Sequence, residues 1–388
     1  MLPFARPLAL VPALLLPTVL LAGEGEAEES WSARFQTTYI YQKKPAFQAA
    51  YSGPNSLITG REQSYTFSTT AYLGIRPWSG GELYLNPEVT QGVPFSALTG
   101  VGGFTNGEIT RAAGTNPKLY RQRLFLRQTW NLGGGSEPVD ADLNQMAGTV
   151  DKNRFVLTLG NFSSLDVFDD NAYAKDPRTQ FMNWGNMAYA AYDYAADSRG
   201  FGWGFSGAWY AQDWVLRFGR MTGPKEPNML PTDYRLGKHY GDQVEVEHSH
   251  EVDGQPGKIR LLAWRNRARL AGFREALAYG NAVAWVPDPM FGRQYIFNVR
   301  HDEKIKYGLG INAEQALNAN VGVFLRAMQA DGRSETYAFT EVDNSLAAGL
   351  AIKGGPWQQA DDTVGVSLLR HGLSRERRRY LAAGGLSF

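Results

Sequence analysis

Hydrophobic and polar residues alternate along most of this chain, and the pattern is first clear in the segment that begins at Trp31. One set of alternate positions there is mainly aromatic or apolar: Trp31, Ala33, Phe35, Thr37, Tyr39 and Tyr41. Successive side chains of a β-strand point to opposite faces of a sheet, so a period of two predicts a strand. Similar segments recur, about fifteen in all and about ten residues long, which is the length that a tilted strand needs to cross a bilayer.

The strand pattern is cleanest from Glu303 to Glu314, where apolar and polar side chains occupy separate faces. The apolar face holds Ile305, Tyr307, Leu309, Ile311 and Ala313. Such strands are too numerous and too aromatic for an ordinary soluble core, whereas a membrane barrel needs an apolar outer face and a polar inner face. The sequence therefore predicts an all-β fold, a transmembrane antiparallel β-barrel formed as one domain by residues 23–388.

The first residues have the features of a secretory signal peptide. Arg6 is the only charged residue before the apolar run Leu8–Leu21, and the small residue Ala22 follows. Two prolines and the short length argue against a retained membrane helix. We predict a signal peptide over residues 1–22 and export of the remaining chain.

Composition narrows the possible functions. The 39 basic and 38 acidic residues nearly balance, which argues against a nucleic-acid partner. There is no cysteine, so thiol chemistry and thiolate metal sites are excluded. His248 and His250 share a strand face, but two exposed histidines seldom bind a metal, and we predict neither a metal nor a cofactor. No motif typical of a hydrolase or a phosphate-binding loop stands out, so we predict that the protein is not an enzyme.

One long stretch, residues 163–200, lacks the period-two pattern, and a connection of that length inside a compact fold is usually functional. This stretch and several strands resemble the OprB-type carbohydrate-selective porin family of Gram-negative outer membranes. The segments that carry the resemblance are Gly81–Glu88, Gly103–Glu108, Arg123–Thr129, Leu165–Tyr173, Asp176–Phe181, Tyr192–Gly200, Lys306–Asn312 and Tyr380–Leu386.

The resemblance implies a barrel of about 16 strands, a third loop folded into the pore, and passive sugar uptake across the outer membrane. It implies small carbohydrates, outer-membrane lipid, lipopolysaccharide and the barrel-assembly machinery as partners, and it favours a monomer. In that family the sequence normally continues past the segment that resembles Tyr380–Leu386. Strand number and closure of the barrel are therefore open at this point.

Three arginines on one predicted strand face could form a row of donors for sugar hydroxyls, because each guanidinium carries five N–H groups in a rigid fork. We call Arg121, Arg123 and Arg127 the arginine row. The preceding strand adds Glu82, Tyr84 and Glu88 as candidate acceptors and as an aromatic surface. The same charges could instead pair with one another and only stabilise the barrel interior. A second set, Arg265, Arg267 and Arg269, lies near a strand end, where a solvated loop is the favoured interpretation.

The long loop supplies the other candidates, which we expect to narrow the pore: Asp166, Asp169, Asp170, Asn171, Asp176 and Arg178. The carboxylates of the loop, with Asp193 and Asp197 among them, could face the constriction or bind a hard cation such as Ca²⁺, although their spacing is not that of an EF-hand. We favour a third interpretation, in which they cap turns and pair with Arg178 and Arg199 to fix the loop.

The leading hypothesis is thus an outer-membrane channel for passive, carbohydrate-selective diffusion into the periplasm. A general or anion-preferring porin is the alternative, in which the arginine row contributes mainly electric field. An outer-membrane barrel hydrolase is a third hypothesis, which would need a nucleophile and a base near one rim.

Overall fold

The fold is described by a computed structural model that covers residues 28–50, 52–99, 104–110, 113–290 and 292–387. The predicted signal peptide, residues 1–22, lies outside the described residues. The strands are β1 (Trp31–Lys44), β2 (Glu62–Trp78), β3 (Gly81–Gly92), β4 (Lys118–Asn131), β5 (Ser136–Val139), β6 (Gly148–Asp151), β7 (Arg154–Phe162), β8 (Gly202–Ala211), β9 (Trp214–Met221), β10 (Tyr240–Val252), β11 (Gln255–Arg269), β12 (Glu303–Asn318), β13 (Val321–Ala330), β14 (Asn344–Lys353) and β15 (Thr363–Gly372). The helices are α1 (Trp184–Met187), α2 (Phe273–Ala282) and α3 (Arg375–Ala382).

Thirteen strands form one antiparallel sheet in which neighbours follow chain order, while the small strands β5 and β6 pair with each other. The antiparallel all-β class predicted from the alternation is confirmed. Within the described residues the sheet has thirteen strands, fewer than the expected number of about 16. Its first and last strands, β1 and β15, are each paired on one side only in the described sheet.

Strand β12 shows how the sheet divides its two faces. Ile305 and Leu309 are 56% and 63% exposed, whereas Lys306 and Asn312 are fully buried. In the register of the sheet, Leu309 lies between Ala263 of β11 and Gln329 of β13. An exposed apolar face and a buried polar face are the arrangement of a transmembrane barrel.

The two ends of the sheet differ in their connections. At one end, which we call the short-turn end, tight turns join β2 to β3, β8 to β9, β10 to β11 and β12 to β13. At the other end, the long-loop end, the connections span residues 45–61, 93–117, 163–201, 222–239, 270–302 and 331–343. Two connections at the short-turn end are longer, namely residues 132–153, which carry the β5–β6 hairpin, and residues 354–362 between β14 and β15. Outer-membrane barrels share this asymmetry, with the longer loops outside the cell.

The sheet curves around residues 163–201, which we call the constriction loop. Asp166 of this loop pairs with Arg123 of β4, whereas Asn186 donates a hydrogen bond to Ser367 of β15. One loop can reach strands so far apart in the sheet only if the sheet wraps around it. The loop also forms a buried hydrophobic cluster with the wall, which includes Leu165, Phe168, Tyr189, Tyr192, Leu262, Trp264 and Met328. None of the described helices is long and apolar enough to cross a membrane.

Candidate pore and its constriction

Asp169 fixes the constriction loop to the barrel wall. Its side chain is fully buried and accepts hydrogen bonds from Arg326 Nε of β13 at 2.8 Å and from Asn312 Nδ2 of β12 at 2.7 Å. It also accepts the backbone N–H of Tyr189 at 2.8 Å. A shift of the loop would leave a buried charge unpaired, which is strongly unfavourable.

Asp193 is the second anchor of the loop. Its carboxylate accepts Lys306 Nζ of β12 at 2.8 Å, and it also accepts the N–H groups of residues 337–339 at 2.8, 2.8 and 3.1 Å. Asn171 adds a hydrogen bond to Asn312 at 2.8 Å. Asp169 and Asp193 thus hold the loop through side chains of β12 and β13 and through backbone N–H groups of two loops, and neither of them pairs with Arg178 or Arg199.

The remaining carboxylates of the loop lie at less buried positions. Asp176 accepts the backbone N–H of Arg178 at 2.8 Å and so caps a turn. The Asp170 side chain is 59% exposed and lies 3.9 Å from Arg260. Lys175 donates to three backbone carbonyls of the same loop, and burial lowers the pKa of its amine despite the nearby carboxylate of Asp170.

A cavity of about 1010 Å³, which we call the pore cavity, lies between the constriction loop and the wall formed by β3 and β4. Its charged lining includes the cations Arg123, Lys175, Arg178, Arg199 and Arg377 and the carboxylates of Glu88, Glu108, Asp142, Asp166, Asp176, Asp197 and Glu341. Its aromatic lining includes Phe104, Tyr120, Trp184, Tyr194, Phe201 and Phe339. The cavity is large enough for a small ligand and offers both ring faces and polar groups.

Arg123 bridges the wall and the constriction loop across this cavity. Its Nε and Nη2 donate to the two carboxylate oxygens of Asp166 at 2.8 and 2.7 Å, the bidentate geometry in which such pairs are strongest. The guanidinium also donates to Gln122 and lies 4.9 Å from the centre of the Phe201 ring. Burial raises the pKa of the Asp166 carboxyl, but the charge and hydrogen bonds of Arg123 outweigh it and hold this pKa below its usual value.

The arginine row is interrupted by a β-bulge at Gln122. Asn86 of β3 pairs with Arg123, but the next residue, Pro87, pairs with Arg121, so Gln122 is the extra residue on β4. A bulge reverses the side-chain phase on one side of it. Arg121 consequently lies on the outer face, with its guanidinium 5.0 Å from the centre of the Trp203 ring. The prediction that Arg121 lines the pore is therefore wrong for the pore cavity.

Glu88 of β3 contacts the residues on the inner side of the bulge. Its buried carboxylate accepts hydrogen bonds from Thr70 at 2.6 Å and from Tyr120 and Gln122. The Tyr120 ring in turn lies 4.1 Å below the guanidinium of Arg199 from the constriction loop. Predicted Glu88 and unpredicted Tyr120 and Gln122 therefore form one side of the pore cavity.

A second segment enters the barrel from the short-turn end. Residues 140–147, which we call the inner turn, precede β6 and are held by side chains of β3 and β4. Arg127 donates to the Asn144 carbonyl at 3.0 Å, and the Tyr84 hydroxyl accepts the N–H of Met146 at 3.1 Å. Met146 is 1% exposed, so the turn is packed into the barrel.

The inner turn covers three residues that the sequence placed in the sugar pathway. Tyr84 is fully buried and donates to Glu82 at 3.0 Å, while Arg127 contacts the same carboxylate at 3.3 Å. These three residues are not part of the pore-cavity lining. Asp142 and Leu143, at the tip of the turn, line the cavity instead.

Glu108 and Arg178 form an ion pair at the cavity wall, with 2.8 Å between Nε and Oε2 and a hydrogen bond of 3.1 Å from Nη2 to Oε1. Burial raises the pKa of Glu108 to about 7, although the charge of Arg178 opposes this shift. Glu108 can therefore gain or lose its charge near neutral pH.

Comparison with known proteins agrees with this architecture. Residues 56–387 match the sequence profile of the carbohydrate-selective porin, OprB family. The chain belongs to the OprB family. The OprB porin of Pseudomonas putida, in its high-pH structure, aligns with a TM-score of 0.63 and 13% identity over 90% of this chain and 78% of that chain. OccK8 (OprE) of Pseudomonas aeruginosa aligns with a TM-score of 0.39 and 10% identity over 88% of this chain and 83% of that chain. No curated protein sequence matches the chain.

Membership of the OprB family confirms the resemblance predicted from the sequence. It places this chain among channels of the Gram-negative outer membrane rather than among enzymes, and it indicates sugars as the substrate class.

Two sets of residues considered in the sequence lie away from the OprB pore cavity. The set Arg265, Arg267 and Arg269 belongs to β11 and not to a loop. His248 lies on β10 with its ring 4.2 Å from that of Trp214 and 6.0 Å from that of His250.

Sequence reasoning missed the aromatic part of the site. Tyr120, Trp184 and Phe201 are single rings scattered along the chain, and only the fold brings them together. A local feature that could have indicated them is an aromatic residue close to an arginine in the sequence, as with Arg199 and Phe201.

Proposed function

We propose that this OprB-family porin lets small neutral carbohydrates diffuse passively from the long-loop end, outside the cell, to the periplasm at the short-turn end. The observation that carries the proposal is the lining of the pore cavity, where Arg123 pairs with Asp166, Arg178 pairs with Glu108, and aromatic rings lie among these pairs. Flux would follow the concentration gradient, without coupling to a nucleotide or an ion.

The charge balance of the cavity favours a neutral solute over an anion. Five cationic side chains and seven carboxylates line it, so the carboxylates are in excess by two. An anion-preferring pore would need the opposite surplus, because the net charge of a lining concentrates counter-ions. The bidentate pairing of Arg123 with Asp166 further reduces the field of the central arginine.

A sugar can use the paired groups without displacing a whole ion pair. Arg123 forms its pair through Nε and Nη2 and carries five N–H groups in all, while the rings of Phe201 and Tyr120 offer flat surfaces for the apolar face of a sugar. Several weak contacts along the path suit a channel, since binding must be favourable enough to admit a solute and weak enough to release it.

The constriction loop and the inner turn would set the width of this path from opposite ends. The loop supplies Asp166 and Arg199, and the turn supplies Asp142 and Leu143 at the tip nearest the short-turn end. A solute that passes Arg123 would therefore next meet the inner turn.

The test is single-channel conductance of the purified mature chain in a planar bilayer, recorded while glucose, a longer oligosaccharide and a linear polyol are titrated. We expect stepwise channels that glucose blocks at millimolar concentration. Arg123→Ala removes charged hydrogen bonds worth about 1.5–3 kcal/mol in comparable cases, so it should weaken the block about 10- to 100-fold.

Arg121→Ala is the matched control, because this residue lies two positions away on the same strand but on the outer face. It should leave the sugar block unchanged. Channels without any sugar block, combined with a preference for anions, would favour the alternative of a general or anion-preferring porin.

A further inference from the structure

The outer face of the sheet has an amphipathic patch near the long-loop end that the sugar pathway does not use. Across β9 to β12, one outward row is apolar and consists of Phe218, Val244, Ala263 and Leu309 in register. The next row toward the long-loop end is polar and consists of Arg220, Asp242, Arg265 and Tyr307. The boundary between the two rows marks the level where apolar membrane interior and polar headgroups would meet.

The patch is concave. A groove of about 1300 Å³ follows the two rows, and Leu236 and Gly237 of the loop before β10 line it together with the strands. Ala263 is the smallest side chain of the apolar row and lies between Val244 and Leu309, which are 46% and 63% exposed. The groove can therefore receive an apolar chain against an exposed apolar floor.

Cations are in excess around the polar row. Arg220 and Arg265 share the carboxylate of Asp242 at 2.6 and 2.9 Å, while Arg267 and Lys238 share that of Glu303 at 2.7 and 3.3 Å. Arg269 is exposed at the end of β11, and the groove also includes Asp331. Five cations thus face three carboxylates, which leaves a surplus of two in this set.

The arginines of the polar row remain accessible to a ligand. The Arg265 and Arg267 side chains are 53% and 42% exposed. Arg265 uses Nε and Nη2 for Asp242, so within the described residues its Nη1 has no hydrogen-bond acceptor. Guanidinium groups bind phosphate oxygens in two-pronged fashion, and the Tyr240 ring, 3.8 Å from the Arg220 guanidinium, helps to orient this cluster.

We propose that this groove binds a phosphorylated glycolipid of the outer leaflet, with acyl chains on the apolar row and a phosphate held by Arg265 and Arg267. The charge surplus selects a phosphorylated headgroup, and the position beside the long loops selects the outer leaflet. The proposal depends on the outer-membrane location of this OprB-family chain but not on the sugar pathway.

The test is native mass spectrometry of the delipidated full chain in detergent, titrated with bisphosphorylated lipid A. We expect one lipid to be retained per chain. The double variant Arg265→Gln with Arg267→Gln should weaken retention tenfold or more, and so should Ala263→Trp, which fills the groove without changing charge. Arg370→Gln is the matched control, because Arg370 is an exposed, outward-facing arginine near the same end of β15.

Three further ligands identify the source of binding, and the circular dichroism spectrum and melting curve of every variant confirm that it is folded. Lipid A without phosphates and inorganic phosphate alone should both bind at least tenfold more weakly than bisphosphorylated lipid A. Equal retention by the double variant, or equal loss in the Arg370→Gln variant, would overturn the proposal. Phosphatidylglycerol bound as tightly as lipid A, or a lipid-free dimer joined through this groove, would also overturn it, because the groove would then have another occupant.

Discussion

Replacing Asp169 with alanine should release the constriction loop while leaving the sheet intact. The carboxylate is fully buried and pairs with Arg326, which is 1% exposed. Removing one partner of a buried ion pair destabilises proteins by about 3–5 kcal/mol, because the remaining charge is left uncompensated. Asn312 and the N–H of Tyr189 lose the same acceptor, so the upper part of that range applies.

The loop should absorb most of this change, because the strands of the sheet retain their own hydrogen bonds. We expect the Asp169→Ala channel to show higher conductance and more open-channel noise than the wild type, with weaker glucose block. The thermal midpoint, measured by circular dichroism in detergent, should fall by no more than about 10 °C, because 1 kcal/mol shifts the midpoint by about 2–4 °C in a domain of 150–250 residues and by less in a larger chain.

The neighbouring carboxylate provides the control. Asp170 is 59% exposed and its separation from Arg260 is 3.9 Å, so Asp170→Ala should change stability by no more than about 1 kcal/mol. An Asp169→Ala channel with the conductance, noise and sugar block of the Asp170→Ala channel would refute the reasoning that Asp169 anchors the loop.

Two further predictions concern the short-turn end and the ion pair at the cavity wall. Tyr84→Phe removes the acceptor of the Met146 N–H, which should destabilise the chain by about 1–3 kcal/mol and raise conductance as the inner turn loosens; an unchanged melting curve and conductance would contradict this role. Burial raises the pKa of Glu108 to about 7 from an ordinary value of 4.5, so the stability linked to its protonation is present below pH 4.5 and is lost as the pH rises through about 7. Below that pH the neutral Glu108 leaves Arg178 with only the more distant carboxylate of Asp176, 3.7 Å away, and we expect reversal potentials in a KCl gradient to shift toward anion preference between pH 8 and pH 5.5 in the wild type but not in Glu108→Gln.

The strands could be predicted from the sequence because the signal is local. From Lys304 to Glu314 the apolar residues of β12 alternate with polar residues or glycine, and the structure extends this strand from Glu303 to Asn318. One face of every strand contacts the membrane and the other faces the barrel interior, so the alternation of apolar and polar residues predicts which side chains are exposed and which are buried. The lack of such alternation in residues 163–200 likewise predicts a long connection, and the structure has one between the end of β7 at Phe162 and the start of β8 at Gly202.

The position of Arg121 could not be predicted by counting residues. Pro87 has no N–H to donate to a neighbouring strand, and the extra residue, Gln122, occurs opposite this interruption. In the sequence of β4, Gln122 is a polar residue in the phase of Leu124 and Leu126, but this alone does not locate a bulge, since the irregularity arises in the pairing of β4 with β3. A period-two pattern therefore places Arg121 on the same face as Arg123, whereas the bulge turns Arg121 to the outer face.

The partners of the buried charges depend on the three-dimensional fold rather than on spacing in the chain. Asp169 and Arg326 are 157 positions apart, and Arg127 meets the Asn144 carbonyl only because the inner turn folds into the barrel. Sequence reasoning could expect that charges inside a barrel pair. It could not distinguish an anchor such as Asp169 from a cavity-facing carboxylate such as Asp166.

The anchors and the cavity lie on opposite sides of the constriction loop, and this separation has a functional consequence. Asp169 and Asp193 attach the loop to β12 and β13, whereas β3 and β4 supply Glu88 and Arg123 to the cavity. Substitutions on the β12–β13 side should therefore alter sugar passage by changing the position of the loop, and with it conductance. Substitutions on the β3–β4 side should alter sugar affinity with a smaller change in conductance. The two effects can be separated in one experiment, because single-channel current reports the width of the path and the block constant reports the binding of the sugar.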